Sequence, residues 1–159
     1  MSEETSEPVQ LRLATVADSE GLANLRFEWD QPDSPPSLGL REDFTTRFEQ
    51  WWTEAQPWCA CSIAEVGNQL VGMAWLVLHQ RIPNPSQFER TTGDLQSVYV
   101  RPNHRHLGVG RGLVNLLLDE GERRGVTRFT VESNERATHF YERQGFTSSP
   151  LLMNRDRTH

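Results

Sequence analysis

The chain has 159 residues and a formal net charge of −6 at pH 7, from 16 basic and 22 acidic side chains. This length suits one domain with its own core, and the acidic balance argues against a general nucleic-acid binder, whose affinity rests on Lys and Arg neutralising phosphates. No apolar run approaches the roughly 20 residues of a membrane span and the N-terminus lacks a signal-like apolar region, so we expect a cytoplasmic protein that does not bind membranes.

Hydrophobic periodicity predicts the order β-α-α-β-β-β-α-β-α-β, after an acidic tail at 1–8 that we expect to be disordered. Strands are predicted over 9–13, 58–66, 70–79, 92–100, 127–131 and 146–153, and helices between 18 and 32, between 40 and 57, over 111–124 and between 134 and 145. This order indicates a single α/β or α+β domain over 9–159, built around a mixed sheet.

Cys59 and Cys61 are the two cysteines of the chain. In a strand, residues i and i+2 point to the same face, and their geometry does not favour a disulfide. A metal site would need further Cys or His ligands, and none are arranged nearby. We therefore expect two free, buried thiols and no bound metal.

Gly108 and Gly110 lie in a basic turn between the predicted strand at 92–100 and the predicted helix at 111–124. Because glycine has no Cβ, a ligand can approach the backbone closely there, and the N–H groups at a helix start can converge on an anion. Three arginines add positive charge at the same place: Arg101, Arg105 and Arg111. The combination suits a phosphate ester or a pyrophosphate.

Two common nucleotide-binding loops do not fit this turn. The P-loop needs Lys and a hydroxyl residue after its last glycine, whereas Arg111 and Gly112 follow Gly110. The dinucleotide fingerprint G-x-G-x-x-G also fails, because Gly108, Gly110 and Gly112 alternate with single residues. What remains is the pattern R-x-x-G-x-G over 105–110, after V-x-P over 100–102.

A second pattern, N-x-x-A-x-x-F-Y-E-x-x-G-F, runs from Asn134 to Phe146. Together the two patterns resemble the acyl-CoA pyrophosphate loop and the C-terminal signature of the GCN5-related N-acetyltransferase (GNAT) family. The resemblance implies the GNAT fold, a mixed and mostly antiparallel α/β (α+β) sheet of about six to seven strands flanked by about four helices. It also implies a sheet splayed between the strands near 92–100 and 127–132, with the acetyl thioester in the gap.

The resemblance assigns three groups of residues to the donor, acetyl-CoA. Its pyrophosphate would be bound, mainly by backbone N–H groups, by Arg105, His106, Leu107, Gly108, Val109, Gly110 and Arg111. The backbone of Val98, Tyr99 and Val100 would pair with the pantetheine arm, which behaves like an added strand. Asn134 matches a position that commonly contacts the cofactor.

The resemblance also supplies candidates for proton transfer. Tyr141 matches the family's usual general acid, with its hydroxyl near the thioester sulfur. Asp94 stands where relatives often place a glutamate that helps to deprotonate the amine. Aspartate is shorter, so the base stays open among Asp94, Glu89, Glu28 and Asp30.

The implied activity is that of an acetyl-CoA-dependent N-acetyltransferase, in which the primary amine of a small molecule attacks the thioester directly. The alternatives are acetylation of a protein N-terminus or lysine, and a non-catalytic acyl-CoA-binding module. Many relatives dimerise, so a homodimer is a further expectation. Aromatic and acidic residues are interspersed in the first two predicted helices, which suggests an acceptor pocket for a cationic amine.

Overall fold

A computed structural model of the chain describes residues 7–34 and 36–157. The predicted tail at 1–8 lies outside these ranges except for its last two residues. Within them, no helix combines the length and apolar character needed to cross a membrane.

Strands and helices follow each other in nearly the predicted order. The strands are β1 (Gln10–Leu13), β2 (Cys59–Val66), β3 (Gln69–Gln80), β4 (Thr91–Val100) and β5 (Val126–Val131), and the helices are α1 (Ser19–Asp30), α2 (Leu38–Ala55), α3 (Val109–Arg123) and α4 (Glu135–Glu142). The sheet has the order β1-β2-β3-β4-β5, in which β4 and β5 are parallel and the other neighbours antiparallel. The predicted mixed, mostly antiparallel sheet with four helices is confirmed.

The predicted strand over 146–153 is wrong, and the described sheet has five strands rather than six to seven. Pro150 has no N–H to donate to a strand partner, and the apolar residues that follow it are consecutive rather than alternating. Leu151 and Met153 are accordingly 87% and 90% exposed. Within the described residues, β5 is therefore the edge of the sheet.

The two faces of the sheet carry separate cores. Leu22 and Leu25 of α1 and Trp52 of α2 pack on one face, and Leu113 and Leu117 of α3 pack on the other. We call these the α1–α2 face and the α3 face. Because successive side chains of a strand point to opposite faces of the sheet, each strand contributes residues to both cores.

The cysteines belong to the α1–α2 face and are free and buried, as expected. Burial raises the pKa of the Cys59 thiol to about 12 and also raises that of Cys61. Both side chains therefore act as small apolar groups in the core.

Small residues bring α3 close to the sheet, which fixes where the helix begins. Ser62 of β2 is fully buried, and its hydroxyl donates a hydrogen bond to the Leu113 carbonyl at 2.8 Å. A Cβ at Gly121 would lie 2.6 Å from the ring of Phe129 in β5. The first turn of α3 is thereby held beside the end of β4.

We expect Gly121→Ala to destabilise the protein, because overpacking costs about 1–3 kcal/mol and exceeds the gain in helix propensity of up to about 1 kcal/mol. The matched control is Gly39→Ala in α2, where an added Cβ meets nothing within 4 Å. That variant should be neutral or more stable. Urea unfolding gives both free energies, and equal stabilisation by the two substitutions would contradict the close approach of α3 to β5.

Candidate functional site

Strand β4 extends beyond the end of β5, so the two are paired over only half of β4. Their parallel pairing runs from Thr91 with Val126 to Leu95 with Val131 and then stops. Residues 96–100 stay paired with β3 on the other side. Their edge toward β5 has no strand partner among the described residues, so an extended ligand can bind there as an added strand, although Arg105 already donates to the Val100 carbonyl. The pairing of the two strands thus ends within the region where the resemblance implies a splay.

A β-bulge lies where the strands separate. Between the pairs Trp75 with Gln96 and Met73 with Tyr99, β4 has one more residue than β3. Ser97, within this bulge, has a φ of 53°, in the left-handed region that non-glycine residues seldom adopt. The bulge changes which backbone groups of β4 face the gap.

Helix α1 holds the bulge from the α1–α2 face. Arg26 donates a hydrogen bond to the Ser97 hydroxyl at 2.7 Å, and its guanidinium lies 5.2 Å from the centre of the Trp29 ring. Trp29 stacks on Tyr99 with ring centres 5.8 Å apart. These contacts join α1 to β4 at two positions beside the gap.

A cavity of about 590 Å³ lies on the α3 face, where β4 ends and α3 begins. It is lined by Val98, Val100, His104, Arg105, His106, Gly108, Val109, Gly110, Arg111, Ala137, Phe140, Tyr141, Arg143 and Gln144. Gly108, with a φ of 79°, is the N-cap of α3, so the unpaired N–H groups of the first turn lie at this cavity. We call it the α3 cavity.

The charge of the α3 cavity is positive. Its described lining contains three arginines and two histidines and has no Asp or Glu. Arg105 is already oriented, because its Nε donates to the Val100 carbonyl at 2.8 Å and its guanidinium lies 5.8 Å from the centre of the Tyr99 ring. Arginines beside helix N–H groups suit a phosphate or pyrophosphate.

Tyr141 closes one side of the α3 cavity. Its ring centre lies 5.0 Å from that of Phe140 and 5.8 Å from that of Phe146, in edge-to-face contacts. Burial raises the pKa of the Tyr141 hydroxyl above its usual value, since the phenolate loses hydration. The hydroxyl is therefore protonated, and able to donate, at neutral pH.

Asp94 lies at the point of separation, on the opposite face. Its neighbours Gly93 and Leu95 face the α3 core, so Asp94 faces the α1–α2 side. One carboxylate oxygen accepts a hydrogen bond from the Thr130 hydroxyl at 2.8 Å, and the other accepts from the Gln96 amide at 2.9 Å. Asp94 thus links β4 to β5 where their pairing ends.

Most of the predicted donor-binding residues and Tyr141 meet in the α3 cavity, but Tyr99, Leu107, Asn134 and Asp94 are not in its lining. Tyr99 packs on the α1–α2 core, and Leu107 is 69% exposed. The Asn134 side chain accepts from the Ala137 N–H at 3.0 Å and caps α4. Asn134 thus orders the helix that carries Tyr141.

Sequence reasoning missed part of the lining, including His104, Phe140 and Gln144. Ala137, Phe140 and Tyr141 recur at i, i+3 and i+4, so helical periodicity could have identified them as one face of α4, which Gln144 follows in the next turn. His104 has a buried Nδ1 with no hydrogen-bond partner among the described residues. Within residues 7–34 and 36–157, no three His, Cys, Asp or Glu side chains are grouped to hold a metal ion.

Comparison with known proteins agrees with this geometry. A family model described as the acetyltransferase (GNAT) family matches residues 24–146. A solved structure of a predicted acetyltransferase with acetyl-CoA from Clostridium acetobutylicum superimposes with a TM-score of 0.74 at 18% identity, over 94% of this chain and 96% of that one. At that identity the likeness establishes the fold alone.

Two curated relatives match part of the sequence. A glucosamine 6-phosphate N-acetyltransferase of Trypanosoma brucei brucei is 28% identical over 89 residues, which cover 56% of this chain and 58% of the relative. A mycothiol acetyltransferase of Geodermatophilus obscurus is 30% identical over 100 residues, which cover 59% of this chain and 32% of the relative. The chain thus matches less than two thirds of either relative.

We expect Gly108→Ala to weaken coenzyme A binding by about ten-fold or more, because the added Cβ would keep the phosphate of the ligand away from the backbone N–H groups. The loss of one charge-assisted hydrogen bond has about that effect. Gly125→Ala is the matched control, because Gly125 has a φ of 86° at the other end of α3 and, like Gly108, has open space where a Cβ would lie. Both variants should lose about 1–2 kcal/mol of stability from the left-handed backbone. Calorimetric titration in which both bind coenzyme A like the wild type would remove Gly108 from the site.

Proposed function

The chain belongs to the acetyltransferase (GNAT) family, and from this premise we propose that it transfers an acetyl group from acetyl-CoA to a primary amine of a small molecule. One observation carries the proposal: β4 and β5 separate between the basic α3 cavity and Asp94 on the opposite face. A donor in the cavity and an acceptor on the other face would meet in that gap.

The α3 cavity suits the donor. Acetyl-CoA supplies the acetyl group as a thioester and carries a pyrophosphate, to which the cavity offers arginines and helix N–H groups. The free edge of residues 96–100 offers backbone groups to an extended arm. The proposed donor-binding residues are Val98, Tyr99, Val100, Arg105, His106, Leu107, Gly108, Val109, Gly110 and Arg111. Asn134 contributes indirectly, because it caps α4, the helix that carries Tyr141.

The acceptor must lose a proton before it attacks. An alkylammonium with a pKa near 10.4 is neutral in about one molecule in 2500 at pH 7, so its deprotonation costs about 4.6 kcal/mol. Asp94 lies on the acceptor side of the gap, held by Thr130 and Gln96. We assign it the role of general base acting through a water molecule, which passes the proton to solvent.

The other carboxylates are less well placed for this role. Glu28 forms a two-point ion pair with Arg101, so a positive charge already compensates its carboxylate, whereas Asp94 has only neutral hydrogen-bond partners. Glu89 lies in the exposed loop between β3 and β4, and Asp30 is the exposed last residue of α1. Asp94 differs from all three because it lies where β4 and β5 separate.

Tyr141 is assigned to the other proton-transfer step, at the sulfur of the departing coenzyme A. As the C–N bond forms and the C–S bond breaks, the sulfur takes the electron pair and the nitrogen releases its second proton to solvent. A phenol with a pKa near 10 and a thiol near 8.5 make full proton transfer uphill by about 2 kcal/mol, and burial raises the pKa of Tyr141 further. The Tyr141 hydroxyl therefore stabilises the sulfur by a hydrogen bond, and free CoA takes its proton finally from solvent.

The activities for which the two relatives are named support a small amine as the acceptor, since glucosamine 6-phosphate and mycothiol are small molecules. The test of the proposed function is steady release of free thiol from acetyl-CoA in the presence of an amine panel. Thiol release only with peptides would indicate protein acetylation instead. Acetyl-CoA binding without thiol release would indicate a non-catalytic module.

Tyr141→Phe should lower kcat by about ten-fold or more while acetyl-CoA affinity changes little, because one transition-state hydrogen bond is lost and the ring contacts remain. Thiol-release kinetics and calorimetry measure the two quantities. An unchanged kcat would remove Tyr141 from the mechanism.

The pH dependence of stability is a control for the burial of Tyr141. Below about pH 10 both folded and unfolded states keep the proton, and Tyr141 adds no pH dependence. Above that pH the unfolded state loses the proton first, so the free energy of unfolding falls as pH rises. The fall should be shallower in Tyr141→Phe, and identical profiles would show that the hydroxyl is not buried.

Asp94→Asn should lower kcat by about a hundred-fold, the lower range of general base catalysis, and its activity should recover partly as the pH approaches the pKa of the amine. Glu89→Gln and Asp30→Asn are the matched controls, with kcat within about two-fold of the wild type. A larger loss in either control than in Asp94→Asn would assign the base to that residue.

A further inference from the structure

A second cavity, of about 460 Å³, lies where α1 ends and α2 begins, next to the end of β4. It shares no lining residue with the α3 cavity. Phe27 and Glu28 from α1, Arg41 from α2 and Arg101 from the end of β4 form its walls. We call it the α1–α2 pocket.

The charge of this pocket does not fit the cationic amine suggested by the sequence. Arg101 forms a two-point ion pair with Glu28, in which its Nε donates to one carboxylate oxygen at 2.9 Å. Arg41 lies over the Phe27 ring, 5.9 Å from its centre, and forms no ion pair with any described residue. With two guanidinium groups against one carboxylate, one positive charge in the lining stays uncompensated.

The hydrogen-bonding groups of the pocket are mostly donors. Glu28 uses the Nε and one Nη of Arg101 and leaves the other Nη free to donate. Arg41 contributes its whole guanidinium, and the side-chain amides of Asn24 and Gln31 complete the polar lining. Such a set matches the oxygens of a carboxylate or a phosphate monoester.

The pocket lies on the same stretch of α1 and β4 as the proposed transfer site. Arg26 with Ser97, Trp29 with Tyr99, and Glu28 with Arg101 are successive contacts between the helix and the strand. From Val98, beside the gap, to Arg101 is about 10 Å at 3.3 Å per residue of strand. A small molecule can span that distance.

We propose that the α1–α2 pocket binds the anionic group, a carboxylate or a phosphate, of an acceptor whose amine lies at the gap between β4 and β5. This rests on the proposed acetyl transfer and narrows its substrate class to amines that also carry an anion. Arg41 and Arg101 are then specificity-determining residues, and the acceptor enters from the face opposite the donor.

Matched acceptors that differ in one anionic group test the proposal: glucosamine against glucosamine 6-phosphate, and a dipeptide amide against the free dipeptide. The wild type should favour the anionic member of at least one pair in kcat/KM by about ten-fold or more, the factor for one charge-assisted hydrogen bond. Arg41→Gln should abolish that preference, and Arg41→Lys should restore part of it. Arg47→Gln, an exposed α2 residue paired with Asp43, is the matched control and should keep it.

Two results in these kinetics would overturn the proposal. One is a wild type that prefers the neutral member of both pairs or treats the members alike. The other is an Arg41→Gln variant whose KM for acetyl-CoA rises while its acceptor preference persists, because the pocket would then serve a phosphate of the donor. Comparison with 3′-dephospho-acetyl-CoA identifies that case.

Binding without turnover separates this proposal from the proposed function. Glucose 6-phosphate has the anion but no reactive amine, and we expect calorimetry to show that the wild type and Arg47→Gln bind it, whereas Arg41→Gln binds it about ten-fold more weakly. The free dipeptide, in the absence of acetyl-CoA, gives the same test for a carboxylate. Such binding with no thiol release from any amine would refute acetyl transfer and leave an anion pocket. Binding that does not depend on Arg41 for either compound would refute the pocket even if acetyl transfer occurs.

Discussion

Residues 96–100 of β4 have no strand partner on one edge, because β5 ends and the two chain segments part after the pair of Leu95 with Val131. Both proposed binding regions depend on this separation. A left-handed φ at Ser97 costs about 1–3 kcal/mol and persists only where the surroundings impose it. The hydrogen bond from Arg26 and the stacking of Trp29 on Tyr99 supply that constraint from α1, so the acceptor-side helix shapes the strand that faces the donor.

Arginines close together in the sequence serve opposite faces of the sheet. Arg101 turns toward Glu28 and the α1–α2 pocket, whereas Arg105 contacts the Val100 carbonyl and lines the α3 cavity. A short 3-10 turn, Pro102–His104, separates the two and redirects the chain. A protein with a net charge of −6 thereby concentrates positive charge at two sites. Cations so placed attract the anionic groups of two ligands without making the whole surface basic.

Local patterns predicted α3, the strands β2 and β3, and the basic turn, because periodicity and glycine positions act within short windows. The splay followed from the family resemblance, since no local pattern shows where two strands part. The strand at 146–153 failed because a strand needs a partner, and Pro150 and the exposed Leu151 have none in the described sheet. The orientation of the Arg101 side chain toward the α1–α2 pocket and the capping of α4 by Asn134 likewise depend on contacts that only the folded chain makes.

The placement of the cavities bears on the chemical route. A route through an acetylated enzyme would need a nucleophile beside the gap, yet both cysteines lie buried in the α1–α2 core, where burial raises the pKa of Cys59 to about 12. Thiols with raised pKa values are poor nucleophiles at neutral pH. The α3 cavity and the α1–α2 pocket share no lining residue, so donor and acceptor can be bound together. In the proposed reaction, simultaneous binding on opposite faces of the sheet would favour direct attack of the amine on the thioester, with Asp94 on the proposed acceptor side and Tyr141 on the proposed donor side.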